Sequence, residues 1–169
     1  MEPSQRLDLA TVDEARQLLT GCCGSTRWVE LMLARRPFGN AAALHDAAAY
    51  SWNSVSQDDW KEAFSHHPKI GERNLNQSKF AATRHLSEHE QAGVAGASTD
   101  VLDQLAEANR AYEARFGYIF IVCASGKTAG EMLALVRARL ANEPAEEILI
   151  AAGEQAKITA RRLDGLGST

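Results

Sequence analysis

The chain marks the starts of helices repeatedly, by placing a serine or threonine three residues before an acidic residue. At this spacing the hydroxyl accepts a hydrogen bond from one main-chain N–H of the first turn, while the carboxylate accepts one from another. The pairs are Thr11 and Glu14, Ser56 and Asp59, Ser87 and Glu90, and Thr128 and Glu131. Three of these pairs precede apolar residues that recur every three to four positions, so the sequence predicts an all-α, multi-helix fold.

Other signals complete the set of helices. Ser25, Asn40 and Thr99 can each cap a first turn. Pro144 suits the first turn of the last helix, whereas Pro37 disfavours helix in the residue before it. The expected helices run from Thr11 to Gly21, Ser25 to Arg36, Asn40 to about Trp52, Ser56 to just before His67, Thr99 to Phe116, Thr128 to about Leu140 and Pro144 to about Leu163.

One stretch, Tyr118 to Cys123, has the apolar and β-branched character of a strand. A lone buried strand would leave its main-chain groups without a ladder partner, so an extended apolar connector near residues 118–124 is expected instead. Without an internal repeat or a low-complexity linker, the chain fits a single domain over residues 1–169. Its ends, 1–8 and 165–169, are expected to be flexible.

Charge and cysteine content limit the partners that this chain can have. The net charge is −4 and no run of Lys or Arg exceeds two residues, so neither nucleic acid nor another polyanion is an expected partner. A small anionic substrate needs only one or two cations and stays possible. No stretch approaches the roughly 18 apolar residues of a membrane span. The odd number of cysteines, Cys22, Cys23 and Cys123, indicates a reducing compartment, and we expect the cytoplasm.

Four of the five histidines fall in one quarter of the chain: His66, His67, His85 and His89. Because Pro68 keeps His67 out of the helical region, we expect His67 at a bend, where its imidazole could transfer protons near neutral pH. The alternative is a surface histidine after a helix end. His85 and His89 have the spacing of a metal pair on one helical face, although Ser87 as a helix start would separate them.

The segment Ser87-Glu88-His89-Glu90-Gln91 has two interpretations. Ser87 and Glu90 have the spacing of a capping box, which is a structural role. A carboxylate and an amide in the first turn of a helix can equally bind a polar heterocycle. The sequence leaves both roles open.

The last helix separates two neighbouring arginines. At about 100° per residue, one half of the helical wheel is mainly apolar; it contains Ile148, Leu149, Ala151, Ala152, Gln155, Ala156, Ile158, Thr159 and Leu163. Arg162 falls inside this half, whereas Arg161 falls on the polar half. An inward guanidinium needs a carboxylate, carbonyl groups or a ligand, because an unpaired buried charge costs several kcal/mol. Arg162 is therefore a candidate ligand-binding residue; the alternatives are a structural ion pair or a stem lying along apolar surface.

Taken together, six motifs resemble those of the 2-oxo-4-hydroxy-4-carboxy-5-ureidoimidazoline (OHCU) decarboxylase family. They are Arg36-Pro37-Phe38, His67-Pro68 with Gly71 and Arg73, Ser87-x-x-Glu90-Gln91-x-Gly93, Asn109-x-x-Tyr112-x-x-Arg115-Phe116-Gly117, Phe120 to Ala124, and Lys157-Ile158 with Arg162-Leu163. Each motif is common alone, but their order and spacing are specific. The resemblance implies an all-helical homodimer that converts OHCU to (S)-allantoin in urate breakdown, without a metal or organic cofactor.

The resemblance also implies roles for individual residues. His67 matches the catalytic proton-transfer histidine, Glu90 an essential carboxylate and Arg162 a substrate-binding arginine. Further positions that contact the small-molecule substrate are matched by Pro68, Ser87, Glu88, His89, Gln91, Phe120, Ile121, Val122, Cys123 and Ala124. Lys69 and Arg161 depart from the family pattern, which leaves the charge at the site entrance open.

Two other functions compete with this one. A metal-dependent hydrolase or metal-binding protein would use His66 or His67 together with His85 and His89. A non-catalytic helical interaction module would tolerate alanine at His67 and at Arg162.

Overall fold

The computed structural model describes residues 1–70 and 96–167. Over these residues it contains helices and no β-strand, which confirms the predicted all-α fold. The helices are α1 (Pro3–Leu9), α2 (Val12–Cys22), α3 (Thr26–Leu33), α4 (Ala41–Ser54), α5 (Gln57–Ser65), α6 (Thr99–Phe116), α7 (Ala129–Arg139) and α8 (Pro144–Gly165). The chain forms two compact units. The terminal unit is Met1–Ala63 with Ala156–Thr169, and the central unit is Phe64–Gln155.

Local sequence sets where most helices begin. Three of the four predicted capping pairs form: Thr11 with Glu14, Ser56 with Asp59, and Thr128 with Glu131. In the first pair, the Thr11 hydroxyl accepts a hydrogen bond from the Glu14 N–H at 3.3 Å, and the Glu14 carboxylate accepts one from the Thr11 N–H at 2.8 Å. The fourth pair, Ser87 and Glu90, lies outside the described residues.

Several helix ends differ from the sequence prediction by one to three residues, and two of them are informative. The N-cap of helix α6 is Ser98 and not the predicted Thr99: the Ser98 hydroxyl accepts a hydrogen bond from the Val101 N–H at 3.3 Å. Helix α3 ends at Leu33, three residues before the predicted Arg36, and a turn follows. Such shifts are usual at helix ends, where one hydrogen bond decides the assignment.

The terminal unit packs its helices in sequence: α1 contacts α2 and α4, α2 contacts α3, and α3 contacts α4. The Trp28 indole N–H donates to the Ala48 carbonyl oxygen at 3.1 Å and so joins α3 to α4. Residues 1–8, expected from the sequence to be flexible, contain most of helix α1. Its Leu7 side chain is fully buried, and the Arg6 guanidinium donates to the Leu166 carbonyl oxygen at 2.7 Å.

The central unit packs α6 against α7 around aromatic side chains. Neighbouring ring centroids lie 4.7–6.3 Å apart among Phe64, Tyr112, Phe116, Tyr118 and Phe120. Glu147, which the sequence did not single out, is fully buried beside this cluster and accepts hydrogen bonds from Tyr112 and Arg139. A charged network thus lies inside this unit.

Helix α8 agrees with its predicted wheel at most positions and departs from it at two. Ile148, Gln155 and Leu163 are buried as predicted. Leu149 is 58% exposed and Ala156 is also exposed, so their assignment to the buried half was wrong. Both lie at the margin of the apolar half, where neighbouring helices decide whether a side chain is covered. Among the described residues, no helix is long and apolar enough to cross a membrane.

Candidate active site

His67 lies at the predicted bend, two residues after the end of α5. Its N–H donates to the Phe64 carbonyl oxygen at 3.2 Å, which closes the turn that follows the helix. Pro68 is buried, and the His67 side chain is partly buried. The preceding His66 is exposed, so the two adjacent histidines have different surroundings.

The partner of the His67 ring is Gln155 on α8. The ring Nε2 and the amide Oε1 of Gln155 are 2.7 Å apart. Gln155 is fully buried. Sequence reasoning placed Gln155 on the buried half of α8 but assigned it no role. The argument that drew attention to Arg162, a polar group turned inward, applies to Gln155 as well.

Residues 119–124 form neither helix nor strand, and Phe120 to Ala124 are buried. Charged side chains bind the main chain of this segment. The Arg139 guanidinium donates to the Ile121 carbonyl oxygen at 2.6 Å, and the Lys127 ammonium donates to the Cys123 carbonyl oxygen at 2.8 Å. The Glu154 carboxylate accepts from the Cys123 N–H at 2.8 Å. The segment is therefore held in place without a sheet.

Some main-chain groups of this segment form hydrogen bonds and others do not. Besides the groups of Ile121 and Cys123, the Ala124 carbonyl oxygen accepts from the Lys127 N–H at 3.0 Å. Within the part of the chain that the structure describes, no hydrogen bond involves the main-chain groups of Phe120 or Val122, which are 3% and 5% exposed.

Two consecutive residues of α8 organise this part of the central unit. The Glu154 carboxylate accepts a hydrogen bond from the Cys123 N–H, and the Gln155 amide oxygen is hydrogen-bonded to the imidazole of His67. Neighbouring residues on a helix point about 100° apart, so one turn of α8 positions both the connector and the histidine.

Arg162 belongs to the terminal unit, where it is 6% exposed, whereas Arg161 is exposed. The helical wheel's separation of the two arginines is therefore confirmed. The Arg162 guanidinium donates to the Gly21 carbonyl oxygen at 3.2 Å, near the end of α2. Burial raises the pKa of the neighbouring Cys23 thiol to about 12, against the smaller lowering effects of hydrogen bonds and of the Arg162 charge. Cys22, Cys23 and Cys123 are all buried and form no disulfide.

The remaining predicted site residues are Ser87, Glu88, His89, Glu90 and Gln91, and they lie outside the described residues. The same holds for His85, so the histidine set proposed for a metal is only partly described. Within residues 1–70 and 96–167, no group of three or more His, Cys, Asp or Glu side chains is arranged to hold a metal ion.

The protein is all-helical over the described residues. In its central unit, the partly buried His67 contacts the buried amide of Gln155, and charged side chains hydrogen-bond the main chain of the apolar segment 119–124. These are the parts of an acid–base enzyme for a small polar substrate. The chain matches the OHCU decarboxylase family over residues 9–164 and therefore belongs to that family, whose members are carboxy-lyases of urate degradation.

Individual relatives agree with this placement. The uric acid degradation bifunctional protein TTL of Arabidopsis thaliana is 43% identical over 150 residues, which are 87% of this chain and 45% of that protein. The 2-oxo-4-hydroxy-4-carboxy-5-ureidoimidazoline decarboxylase of Amia calva is 29% identical over 131 residues, 78% of this chain and 74% of that protein. The chain thus spans less than half of the plant relative and about three quarters of the fish relative.

Solved structures show the same fold. A crystal structure of an OHCU decarboxylase in the presence of (S)-allantoin is 38% identical and aligns with a TM-score of 0.76, covering 90% of this chain and 99% of that one. A crystal structure of an (S)-allantoin synthase is 20% identical, with a TM-score of 0.70 over 96% of this chain and 53% of that one, and shows the fold alone.

Proposed function

We propose that this chain decarboxylates OHCU to (S)-allantoin. The observation that carries the proposal is the imidazole of His67, held at a bend by the fully buried Gln155 in a member of the OHCU decarboxylase family. A histidine held in this way is suited to transfer a proton to one face of a bound molecule. The reaction requires such a step because its product has a single handedness.

The chemistry of the substrate explains why no organic cofactor is required. OHCU carries a hydroxyl and a carboxylate on C4, next to the C5=N imine. When carbon dioxide leaves, its bonding electrons form a C4=C5 double bond, and the imine electrons move onto nitrogen, which takes a proton. The substrate thus contains the electron sink that pyridoxal phosphate supplies in other decarboxylases.

The enol that remains must gain a proton at C5 and lose one from its C4 hydroxyl. We assign the first transfer to His67 and the second to Glu90, whose carboxylate would accept the hydroxyl proton. Three proton movements, two gained and one lost, leave one proton consumed for each carboxylate that departs. Delivery from one side by a fixed imidazole would give one enantiomer.

The other predicted residues would bind and orient the substrate. Arg162 carries a guanidinium suited to two acceptors at once. The main-chain groups of Phe120 to Ala124, in a segment that is hydrogen-bonded by Arg139 and Glu154, would orient the heterocycle. Phe120 and Ile121 are buried and apolar, and an apolar wall around the departing carboxylate would favour its conversion to neutral carbon dioxide. Pro68 and the segment Ser87–Gln91 complete the proposed site by the family match.

We extend the proposal to organisation and compartment. Family resemblance favours a single domain over residues 1–169 that acts as a homodimer. The three buried cysteine thiols suit a reducing compartment, and we place the protein in the cytoplasm.

The test generates the unstable substrate in place, from urate and the enzymes that precede this step, and follows optical activity by circular dichroism. Uncatalysed decay has no preferred face, so only an enzyme yields a net (S) signal. We expect the wild type and His66→Asn to produce that signal rapidly, and His67→Asn to match decay without enzyme. His66 is the matched control because it is adjacent and exposed.

Two outcomes would contradict the proposal. Equal loss of activity in both histidine variants would remove the assignment to His67. Stoichiometric zinc in protein purified without an affinity tag, together with no (S)-allantoin, would favour the metal-dependent hydrolase instead.

A further inference from the structure

We propose that Gln155 is a positioning residue that holds His67 as the Nε2–H tautomer, so that Nδ1 is the nitrogen that exchanges a proton with the substrate. The tautomer assignment stands on the contact between the two side chains. Its catalytic meaning rests on the proposed function.

The contact itself determines which nitrogen is protonated. The amide oxygen of Gln155 has lone pairs and no proton, so it can only accept a hydrogen bond. At 2.7 Å from Nε2, it requires a hydrogen on that nitrogen. A neutral imidazole carries one hydrogen, and its lone pair is therefore on Nδ1.

Burial makes this preference strong. Gln155 is fully buried, so water does not replace a lost hydrogen bond to its amide. The other tautomer of His67 would present a lone pair to the amide oxygen, and two acceptors at this distance repel each other. The main chain of His67 is also held in place, since its N–H donates a hydrogen bond to the Phe64 carbonyl oxygen and Pro68 is buried.

An amide suits a histidine that must both hold and release a proton. The Nε2–H donates to Gln155 in the neutral and in the charged imidazole, so the ring stays in place while Nδ1 is protonated and deprotonated. A carboxylate at position 155 would orient the ring equally well. Its negative charge would also stabilise the imidazolium and oppose donation of the proton to C5 of the enol.

Two charged residues close to this pair in sequence, Lys69 and Glu154, each have another partner. Lys69 Nζ lies 2.8 Å from the Glu113 carboxylate, and Glu154 accepts from the Cys123 N–H. Substitutions at Gln155 leave these contacts in place, so a change in proton transfer can be attributed to the partner of His67.

The first test reads the tautomer directly in the full chain. Long-range ¹H–¹⁵N spectra of uniformly labelled protein distinguish a protonated ring nitrogen from one with a lone pair, and His67→Asn identifies the His67 signals. We expect Nε2–H in the wild type above the titration of the ring, and a lower share of that tautomer in Gln155→Met. A wild-type ring protonated on Nδ1, or an unchanged ring in Gln155→Met, would overturn the assignment.

The second test uses the pH dependence of turnover. Because His67 donates as the imidazolium, activity should fall as pH rises through its titration. In Gln155→Glu that fall should move to higher pH by about one unit or more. Gln155→Met should lower kcat at least tenfold with a smaller change in KM, and Gln17→Met, exposed on α2, should match the wild type. An unmoved pH profile in Gln155→Glu would reject a role through His67.

The two experiments separate the inference from the function beneath it. The spectra report the tautomer even if OHCU is not the substrate, so a failure of the proposed function leaves that result intact. Adding Gln155→Met to His67→Asn should lower residual activity no further, because Gln155 acts through the histidine. A further loss in the double variant would indicate a separate role for Gln155.

Discussion

Replacing Arg139 with methionine should destabilise the protein strongly, although the new side chain fills much of the same space. The Arg139 guanidinium donates to the Glu147 carboxylate at 2.7 Å and to the Ile121 carbonyl oxygen at 2.6 Å. Glu147 is fully buried and otherwise has Tyr112 and Asn142 as partners. Methionine supplies no donor, so the variant leaves a buried carboxylate with two neutral partners.

The size of the effect follows from this burial. Removing one partner of a buried ion pair costs about 3–5 kcal/mol, because the remaining charge is uncompensated. In a domain of this length, each kcal/mol corresponds to roughly 2–4 °C in Tm. We therefore expect Arg139→Met to melt about 6–20 °C below the wild type. The Ile121 carbonyl also loses its donor, so turnover should fall even where the variant is folded.

Thermal melting followed by circular dichroism measures this, with two comparison variants. Arg137→Met, on the exposed side of the same helix, should stay within about 2 °C of the wild type. Arg139→Met combined with Glu147→Leu should regain most of the lost stability, because replacing both members of a buried pair with apolar groups is often neutral. The reasoning fails if Arg139→Met melts like Arg137→Met, or if the double variant is no more stable than Arg139→Met.

Three further predictions concern Glu90, the neighbouring arginines Arg161 and Arg162, and Cys23. Glu90→Gln should melt near the wild type yet turn over very slowly, because glutamine can serve a cap but lacks the charge; substantial turnover would leave Glu90 a structural role. Arg161→Ala should change stability by less than about 0.5 kcal/mol, whereas Arg162→Lys should lose far more turnover than stability, because lysine lacks the planar guanidinium that binds two acceptors at once. Melting and turnover of both variants are measured in parallel, and a large loss of turnover in Arg161→Ala would refute the assignment. Between pH 9 and about 12 the unfolded chain ionises Cys23 while the folded one does not, so stability should fall with rising pH, and Cys23→Ala should reduce that slope by up to about 1.4 kcal/mol per pH unit in alkaline unfolding experiments.

Features that depend only on residues near each other in the chain could be predicted from the sequence. The Thr11 and Thr128 capping boxes are visible because both partners lie within one turn. The bend at His67 follows from the proline after it. The inward direction of Arg162 follows from helical geometry, which repeats every 3.6 residues whatever lies around the helix. The family resemblance added roles that these local rules do not contain.

Contacts between side chains that are distant in the chain could not be predicted and are seen in the folded protein. Gln155 and His67 are 88 positions apart, and no local rule pairs them. The burial of Glu147 with Arg139, and the Glu154 carboxylate on the Cys123 N–H, likewise join segments that only folding brings together. A helical wheel assigns a side chain to one face of the helix but gives no information on which residues pack against that face. The partners of buried polar groups depend on these neighbours, because each buried donor or acceptor must form its hydrogen bond with a residue that folding places beside it.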